Sequence, residues 1–334
     1  MLKGLSIIFV NYRSASLLDD CIQSFQQFNS ELDSQIIVVD NNSGDDSKQK
    51  ILSKFPDVTW VQMNYNAGFA RANNEGIRNS KGDTVLLLNP DVLFEDDSTD
   101  QCYKRLQHSP HIGAGVQLYN PDKTPQITGS YFIKGGINHF LPLPVLGNLF
   151  KWLGTQLKVK KTNVPEAKGE VMVDWINGAF LMVKKSAIEK AGLLDEDFFL
   201  YSEEIEWCSR LRHYGSFCVY GDLHAIHLQG ETANKAFGSS GQGYFNLWDK
   251  KGKQIMLSNF VRIRKQFGIA WFLFHLIVYI IEVPLSFCKV CWNRLLSQRD
   301  FTFSQFKGYC KNVFTVIKHS LIIIQNKPHF YKVL

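Results

Sequence analysis

Short apolar runs alternate with amphipathic helical segments through the first third of the chain. The predicted strands cover residues 5–10, 35–40, 58–63, 84–88 and 112–118, and the predicted helices between them cover residues 14–28, 45–55, 69–79 and 97–107. Strands and helices that alternate at this spacing are typical of right-handed β-α-β crossovers. The pattern therefore predicts an α/β fold with a Rossmann-like, mostly parallel sheet flanked by helices.

Polar residues directly follow four of the predicted strands. They are Asn11 with Tyr12, Asp40 to Ser43, Asn64 to Gly68, and Asn89 to Asp91. Each group alone has the composition of an ordinary turn. Because the carboxyl ends of parallel strands meet at one sheet edge, where ligands bind in such folds, we expect the four groups to form one site for a polar ligand.

Two common phosphate-binding motifs do not occur in the sequence, GxGxxG after the first strand and GxxxxGK[ST]. The phosphates of a nucleotide must therefore be held in another way. Asp91 follows an apolar strand and is a natural ligand for Mg²⁺ or Mn²⁺, which commonly bind through one or two protein groups together with substrate phosphates.

The stretch from Asp174 to Gly215 combines an apolar strand, a turn and an acidic helix start. The predicted strand, residues 173–183, is interrupted at Asp174 and at Asn177–Gly178, which indicates close approach of the backbone to another group. Ser202 is the predicted N-cap of the helix that follows.

Three acids, Glu203, Glu204 and Glu206, lie in the first turns of this helix. Glu204 shares its face with apolar residues further along, whereas Glu206 lies four residues before Arg210 and is expected to pair with it. Partial desolvation raises the pKa of a carboxylate, so Glu204 is a candidate general base. The alternative is that all three acids only favour the positive end of the helix dipole.

Residues 120–165 are rich in proline and glycine and predict a loop-rich insert, either an acceptor wall or lid or a solvated loop. Two short strands, residues 217–220 and 225–227, are predicted after the acidic helix. His227 ends the second, as a metal ligand or as an ordinary histidine near a turn. The glycine-rich residues 238–243 predict a flexible loop suited to closing over a ligand.

The C-terminal part differs in charge from the rest. Residues 250–334 carry 14 Lys+Arg and 2 Asp+Glu, whereas residues 1–249 carry 23 and 29. Within the basic part, residues 269–287 form an apolar run near the lower limit for a bilayer span, and His275, Glu282 and Pro284 count against spanning. Three interpretations stay open: a helix in the interface of an anionic membrane, a helix buried against the catalytic part, or a true span.

Nucleic acid is not an expected partner, because aliphatic runs rather than isolated stacking aromatics separate the basic residues. Seven cysteines, an odd number embedded mostly in apolar runs, indicate reduced thiols and a cytoplasmic setting. The apolar run at residues 5–10 is short and has no cleavage-like sequence after it, so no signal peptide is expected. Together these features predict a cytoplasmic protein, peripheral on the inner face of the cell membrane.

Six motifs occur in order over about residues 4 to 235: VNYRSASLLDDCIQSF, VVDNNSGD, NAGFARANNEGI, LLLNPDV, WINGAFLMVKKSAIEKAGLLDEDFFLYSEEIEWCSRLRHYG and IHLQGET. They resemble the family 2 glycosyltransferases with the GT-A fold, and most of all their bacterial rhamnosyltransferase-like branch. The resemblance implies inverting transfer of a sugar from a nucleotide-diphosphate donor to a hydroxyl group. In the rhamnosyltransferase-like branch the implied donor is dTDP-rhamnose, and the implied product is a cell-surface polysaccharide, extended on a lipid-linked glycan acceptor.

The resemblance also implies a role for individual residues. In the donor site it places base and ribose contacts at Asn11, Tyr12 and Asp40, and nucleotide-pocket contacts at Asn66, Gly68, Arg71 and Asn74. It places the metal at Asp91 and His227, the sugar and acceptor beside Asn177, Gly178 and Ala179, and the general base at Glu204.

Two positions depart from the family pattern. Asn89 stands at the first position of the DxD motif, which leaves one carboxylate for the metal. A Glu-Glu pair replaces the usual Glu-Asp pair, which makes Glu203 a rival base.

The predicted domains are a GT-A catalytic domain over residues 1–249 and a helical, membrane-associating extension over residues 250–334. The catalytic domain divides into a donor-binding half (1–118), an insert (119–168) and an acceptor and base half (169–249). Two other functions stay open: a nucleotidyltransferase and a catalytically silent, membrane-bound nucleotide-sugar binding module. The nucleotidyltransferase would need a basic glycine-rich loop after the first strand, where the chain has Asn11 to Ser14 instead.

Overall fold

A computed structural model describes residues 4–29, 31–228, 239, 245–298 and 300–333. The chain forms two compact units. The first consists of Met1–Tyr131, Asn163–Glu196 and Glu203–Thr232, and the second of Phe132–Thr162, Asp197–Ser202 and Ala233–Leu334. This division differs from the predicted boundary at residue 249, because much of the insert belongs with the C-terminal helices.

The strands, in chain order, are β1 (Leu5–Asn11), β2 (Ser34–Asp40), β3 (Thr59–Gln62), β4 (Thr84–Leu88), β5 (Val92–Leu93), β6 (Gly113–Tyr119), β7 (Gly129–Ser130), β8 (Glu170–Val173), β9 (Trp175–Ile176), β10 (Phe180–Lys184) and β11 (Phe217–His227). The helices are α1 (Ala15–Phe28), α2 (Ser47–Lys54), α3 (Gly68–Arg78), α4 (Ser98–Gln107), α5 (Leu146–Gln156), α6 (Lys185–Ala191), α7 (Glu203–Leu211), α8 (Lys250–Phe267), α9 (Ile269–Leu295) and α10 (Phe303–Gln325). A 3₁₀ segment covers Lys134–Phe140.

The first unit is built on a nine-stranded sheet with the order β3-β2-β1-β4-β10-β6-β11-β5, and β8 pairs with β11. The strands β3, β2, β1 and β4 are parallel, as predicted, and β11 runs parallel to β6. The strand β10 enters antiparallel between β4 and β6. Buried aliphatic residues fill both faces of the central strands, which explains their continuous apolar runs.

Two strand predictions were wrong in their boundaries. The single strand predicted over residues 173–183 is three strands, because after β8 the chain leaves the nine-stranded sheet, β9 pairs with β7 in a separate two-stranded sheet, and the chain returns only at β10. The two short strands predicted over residues 217–227 are one strand, β11, with an irregularity in its pairing with β6 between Tyr220 and His224. Gly221 and Asp222 therefore belong to a bulge rather than to a turn.

The second unit contains the three C-terminal helices and most of the insert. The predicted loop-rich insert contains the 3₁₀ segment and α5, which the sequence did not reveal. The carboxylate of Glu282, on α9, accepts hydrogen bonds from the backbone N–H groups of Val145 (2.7 Å) and Leu146 (2.9 Å). These N–H groups lie at the start of α5, so a residue 136 positions away fulfils the role of a helix cap.

Candidate active site

The ends of β1 and β2 are joined by a buried network around the carboxylate of Asp40. Asn11 Nδ2 donates to Asp40 Oδ1 at 2.8 Å and to Ser43 Oγ at 3.2 Å. The Ser43 hydroxyl donates to Oδ1 at 2.6 Å, and the Ser43 backbone N–H donates to Oδ2 at 3.0 Å. Parallel pairing sets Asn11 beside Asp40. Two of the four predicted polar groups therefore meet at one sheet edge.

Gln62 extends this network from the end of β3, where its Nε2 donates to Asp40 Oδ2 at 2.7 Å. Burial raises the pKa of the Asp40 carboxyl, but hydrogen bonds from Ser43, Gln62 and Asn11 outweigh burial and leave the pKa below its ordinary value. Asp40 is therefore held as an anion. Because Gln62 is exposed, an N–H or O–H group of a ligand can take its place at Oδ2. Tyr12 directly follows Asn11 in the sequence and is half-buried.

The third polar group is tied to the end of β2 through Asn41. Its Oδ1 accepts from Ala67 N at 2.7 Å, and its Nδ2 donates to Gly68 O at 3.0 Å. Asn66 Oδ1 accepts from Gly68 N at 3.1 Å. Gly68 has φ +76°, in the left-handed region that favours glycine. This loop therefore has a fixed backbone next to the Asp40 network.

Arg71 and Asn74, on α3, both bind the segment from Leu194 to Glu196. Arg71 Nε donates to Glu196 O at 2.9 Å. The fully buried Asn74 donates to Leu194 O at 2.9 Å and accepts from Leu194 N at 2.9 Å. These contacts give Asn74 a role in fixing the segment before α7. The expectation that Asn74 touches a nucleotide stays a prediction.

The fourth polar group forms a pair with the end of β11. Asp91 Oδ1 lies 3.4 Å from His227 Nε2, and both side chains are buried. Antiparallel pairing of His227 with Val92 holds the two residues together. Asn89 Nδ2 lies 3.5 Å from the same imidazole nitrogen. The predicted metal residues Asp91 and His227 are thus brought together across 136 residues of chain.

Gln126, which the sequence did not single out, sets the orientation of His227. Its Oε1 lies 2.9 Å from His227 Nδ1, and its Nε2 donates to His227 O at 2.7 Å. An amide oxygen can only accept, so Nδ1–H donates to Gln126, and this hydrogen bond orients the ring with Nε2 toward Asp91. Gln126 is 5% exposed. No sequence motif marks it, because the contact depends on a long-range meeting of the loop after β6 with the end of β11.

The segment Asn177 to Ala179 connects this pair to the acidic helix. Asn89 N donates to Ala179 O at 3.0 Å, and Asn177 Oδ1 accepts from Ala179 N at 2.9 Å. A Cβ atom added to Gly178 would lie 3.7 Å from Glu204 Cβ. A continuous chain of contacts therefore runs from Asn89, two residues before Asp91, to Glu204.

Two neighbouring acids begin α7, and both are buried. Glu203 is 3% exposed and Glu204 is 9% exposed. Among the residues that the structure describes, Glu203 Oε2 has no hydrogen-bond partner. Burial, and next the charge of Glu204, raise the pKa of Glu203 well above its ordinary value. Burial and the neighbouring charge thus favour the protonated form of Glu203, and Glu204 is the member of the pair whose Cβ atom lies beside Gly178.

Glu206 has a structural partner, as predicted. Arg210 Nε donates to Glu206 Oε1 at 2.8 Å, and Arg210 also donates to Ala191 O at 2.7 Å. Trp207 Nε1 donates to Gly192 O at 2.9 Å, so α7 is braced against the turn after α6. The predicted N-cap role of Ser202 was wrong: Ser202 has φ +70°, outside the extended region typical of N-caps, and its hydroxyl donates to Asn259.

Asp91 and His227 fit a divalent cation that takes its remaining ligands from a diphosphate and water. They offer a carboxylate oxygen and an imidazole nitrogen 3.4 Å apart, and the hydrogen bond of Nδ1 to Gln126 leaves Nε2 as the ring nitrogen that faces Asp91. Over the described residues, no group of three or more His, Cys, Asp or Glu side chains could hold a metal. The predicted closing loop, residues 238–243, lies outside the described residues except for Ser239.

Residues 6–155 match the family model for glycosyl transferase family 2. A low-salt glycan biosynthesis hexosyltransferase, Agl10 of Haloferax volcanii, is 30% identical over 218 residues, which are 64% of this chain and 62% of that protein. This chain thus spans less than two thirds of that relative. The N-acetylglucosaminyl-diphospho-decaprenol L-rhamnosyltransferase of Mycobacterium tuberculosis is 25% identical over 235 residues, 66% of this chain and 74% of that protein.

Two solved structures share the fold. A mannosyltransferase from Pyrobaculum calidifontis, in complex with GDP-Man and Mn²⁺, has a TM-score of 0.50 at 12% identity and covers 98% of this chain and 89% of its own. GalNAc-T7, with UDP, GalNAc and Mn²⁺, has a TM-score of 0.51 at 13% identity and covers 81% of this chain and 56% of its own. These likenesses confirm the predicted GT-A fold.

Proposed function

The chain belongs to the family 2 glycosyltransferases, and from this premise we propose that it transfers a sugar from a nucleotide diphosphate to a hydroxyl group, with inversion at the anomeric carbon. The observation that carries the proposal is the series of neighbours from the Asp91–His227 pair, through Asn89 and Ala179, to Gly178, beside which the Cβ atom of the buried Glu204 lies. Such an arrangement supplies charge neutralisation at one end and a proton acceptor at the other.

The reaction forms a bond between the acceptor oxygen and C1 of the sugar, and it breaks the bond between C1 and the diphosphate. Glu204 accepts the proton of the attacking hydroxyl. Glu203, whose pKa is raised by burial and by the Glu204 charge, stays neutral beside it. Gly178 brings the backbone close to both Phe69 and Glu204, because a Cβ there would be in van der Waals contact with Phe69 at 3.4 Å and with Glu204 Cβ at 3.7 Å.

We propose that Asp91 and His227 hold Mg²⁺ or Mn²⁺. The ion, when bound, neutralises charge that develops on the departing diphosphate. Mn²⁺ accompanies a nucleotide or nucleotide sugar in both of the similar solved structures, which supports a divalent ion of this class. The Asp40 network and the loop at Asn66 and Gly68 would hold the nucleoside, with a base or ribose donor taking the place of Gln62 at Asp40.

The donor that we propose is dTDP-rhamnose, and the acceptor is a lipid-linked glycan of a growing cell-surface polysaccharide. The similarity to a rhamnosyltransferase that acts on N-acetylglucosaminyl-diphospho-decaprenol supports both. A lipid-linked acceptor requires the enzyme to work on the inner face of the cell membrane, where a peripheral protein with a basic C-terminal part would bind anionic lipids.

A donor panel tests this proposal. The full chain is incubated with dTDP-rhamnose, UDP-N-acetylglucosamine or GDP-mannose, with Mg²⁺, Mn²⁺ or EDTA, and donor binding and hydrolysis are measured. We expect dTDP-rhamnose to bind most tightly, and hydrolysis to require the ion. Tightest binding of another donor would contradict rhamnose as the donor sugar. Equal hydrolysis with EDTA and with the metal ions would contradict the requirement for a metal ion.

Gln126→Leu should weaken Mn²⁺ binding by about 10–100-fold, because His227 loses the acceptor that fixes its tautomer and ring orientation. Titration calorimetry or electron paramagnetic resonance of Mn²⁺ with dTDP measures the affinity directly. The matched control is Ile127→Ala at the next position, which is 43% exposed, and it should leave the affinity unchanged. Equal Mn²⁺ affinity in wild type and in a folded Gln126→Leu variant would show that Gln126 does not position the ligand.

A further inference from the structure

The helix α9 has an unusual distribution of side chains for a surface helix. Its inward face carries polar groups: His275, Tyr279, Glu282, Ser286 and Asn293 are all buried. Every exposed position between residues 269 and 288 is uncharged, and these positions are Ile269, Ala270, Leu273, Phe274, Ile277, Ile280, Ile281, Pro284, Phe287 and Cys288. A helix on a water-exposed surface normally has the opposite arrangement.

The buried polar groups bind the backbone of the insert. His275 Nε2 lies 2.8 Å from Gly135 O, and the Tyr279 hydroxyl donates to His139 O at 2.9 Å. Glu282 accepts from the start of α5, and Lys289 Nζ donates to Pro144 O at 3.0 Å. His275 and Glu282, two of the three residues that counted against a spanning helix, therefore face protein and leave the outward face free of charge, whereas Pro284 lies on the outward face.

The same contacts argue against a helix that crosses a bilayer. From His275 to Lys289 the insert covers about 20 Å of α9, at 1.5 Å per residue, out of a hydrocarbon thickness of about 30 Å. The covering segment is not regular α-helix and contains Lys134 and Asn138. Irregular backbone with polar side chains does not occur facing lipid in the hydrocarbon region. Length and hydropathy alone would still allow α9 to cross a membrane.

The outward face continues onto a basic helix. Phe287 on α9 contacts Phe303 at the start of α10, with ring centroids 6.3 Å apart, and both are more than 40% exposed. Along α10, one exposed stripe at helical spacing alternates lysines with apolar residues: Lys307, Lys311, Phe314, Lys318 and Leu321. Lysines interleaved with apolar side chains are typical of helices in the interface of anionic membranes. A second copy of the chain would bring like charges together at this stripe, which disfavours self-association.

We propose that the outward face of α9 and the lysine stripe of α10 form a membrane-docking surface, in which α9 lies in the plane of one leaflet with anionic headgroups. This inference rests on the proposed function, because the proposed lipid-linked acceptor is what places the enzyme at a membrane. It differs from a span in that both ends of α9 stay on the same side of the bilayer.

Vesicle flotation of the full chain tests the partner. We expect binding to vesicles of phosphatidylglycerol with phosphatidylethanolamine, and at least tenfold weaker binding to phosphatidylcholine alone. The double variant Ile277→Glu/Ile281→Glu should reduce binding at least tenfold. The matched control is Met172→Glu on β8, which is 47% exposed in the first unit and should bind as wild type. The triple variant Lys307→Ser/Lys311→Ser/Lys318→Ser should remove the preference for the anionic lipid.

The side of the membrane on which each end of α9 lies distinguishes a helix in the membrane plane from a helix that spans the bilayer. Gln266→Cys and Gln298→Cys flank α9, and each is introduced into a chain whose partly exposed Cys288, Cys291 and Cys310 are serine. In sealed inside-out vesicles from expressing cells, a membrane-impermeant maleimide should label both positions. Labelling of only one end would establish a span and overturn the proposal.

Two further measurements complete the test. A wild-type chain that is dimeric by light scattering, becomes monomeric in Ile277→Glu/Ile281→Glu and ignores vesicles would assign the face to a second copy instead. Hydrolysis of the nucleotide sugar in the absence of membranes should be the same in the double variant and in wild type. Loss of flotation with intact hydrolysis would therefore support the docking surface independently of the active site. A wild-type chain that hydrolyses none of the donors would contradict the proposed function instead.

Discussion

Glu204→Gln is expected to lower the rate of sugar transfer by about 10²–10⁴-fold, the contribution typical of a positioned general base. The amide keeps the shape of the side chain next to Gly178 but cannot accept the proton of the attacking hydroxyl. Donor binding should change little, because the residues proposed to hold the nucleoside lie at the ends of β1 to β3 rather than on α7. Transfer to a lipid-linked acceptor under single-turnover conditions measures the rate, and calorimetry with the nucleotide sugar measures binding.

Glu203→Gln is the matched control for this prediction. The raised pKa of Glu203 means that its carboxyl is neutral in the folded protein, so glutamine replaces it with a neutral group of similar size. We expect transfer within a few-fold of wild type. If Glu203→Gln abolished transfer and Glu204→Gln did not, the base would be Glu203, and the assignment from the Gly178 contact would be wrong.

Asp91→Asn is expected to reduce metal-dependent transfer at least 100-fold, because the only carboxylate of the Asp91–His227 pair is lost. A factor of 100 corresponds to about 2.7 kcal/mol of transition-state stabilisation, within the several kcal/mol that a metal ion supplies to a leaving diphosphate. The rate is measured against Mn²⁺ concentration. The apparent affinity for the ion should fall together with the maximal rate.

Asp57→Asn provides a matched control, because Asp57 is an exposed acid in the turn before β3. Its rate and its Mn²⁺ dependence should equal those of wild type. An Asp91→Asn variant that keeps the wild-type dependence on Mn²⁺ would place the ion elsewhere, whereas one that fails in EDTA and Mn²⁺ alike while unfolding early would report only a loss of stability. Thermal unfolding measured alongside separates the two outcomes.

The predictable part of the fold is the part that local sequence determines. The strands β1, β2 and β4 are buried along most of their length, so their apolar runs mark them within one or two residues. The insertion of β10 between β4 and β6 depends on pairing between residues about 70 to 100 positions apart, and nothing in its own apolar run specifies it. The helix α5 was missed for a similar reason, since Glu282 binds its first turn from another part of the chain.

The same difference between local sequence and long-range contacts applies to the candidate site. Asn11, Asp40, Asn89 and Asp91 follow strands, so their meeting at one edge was predictable from sequence, and so was the pairing of Glu206 with Arg210. Gln126 was not, because its role depends on His227 approaching it at the end of a bulged strand. Glu282 was interpreted as a residue that counts against a bilayer-spanning helix, and the structure buries its carboxylate on the protein side of α9, a placement that the sequence did not show.

The discontinuous second unit has a consequence for biosynthesis. Its first segment, Phe132–Thr162, leaves the ribosome about a hundred residues before α8 begins. Until α9 is synthesised, the backbone N–H groups of Val145 and Leu146 have no Glu282 to bind, and the carbonyls of Gly135 and His139 have no side-chain donors from α9. The newly synthesised insert therefore cannot complete these hydrogen bonds until α9 has been made, whereas the nine-stranded sheet can already assemble. Premature termination before α9 would yield a chain with a complete nine-stranded sheet and an incomplete second unit, which we expect to be sensitive to proteolysis.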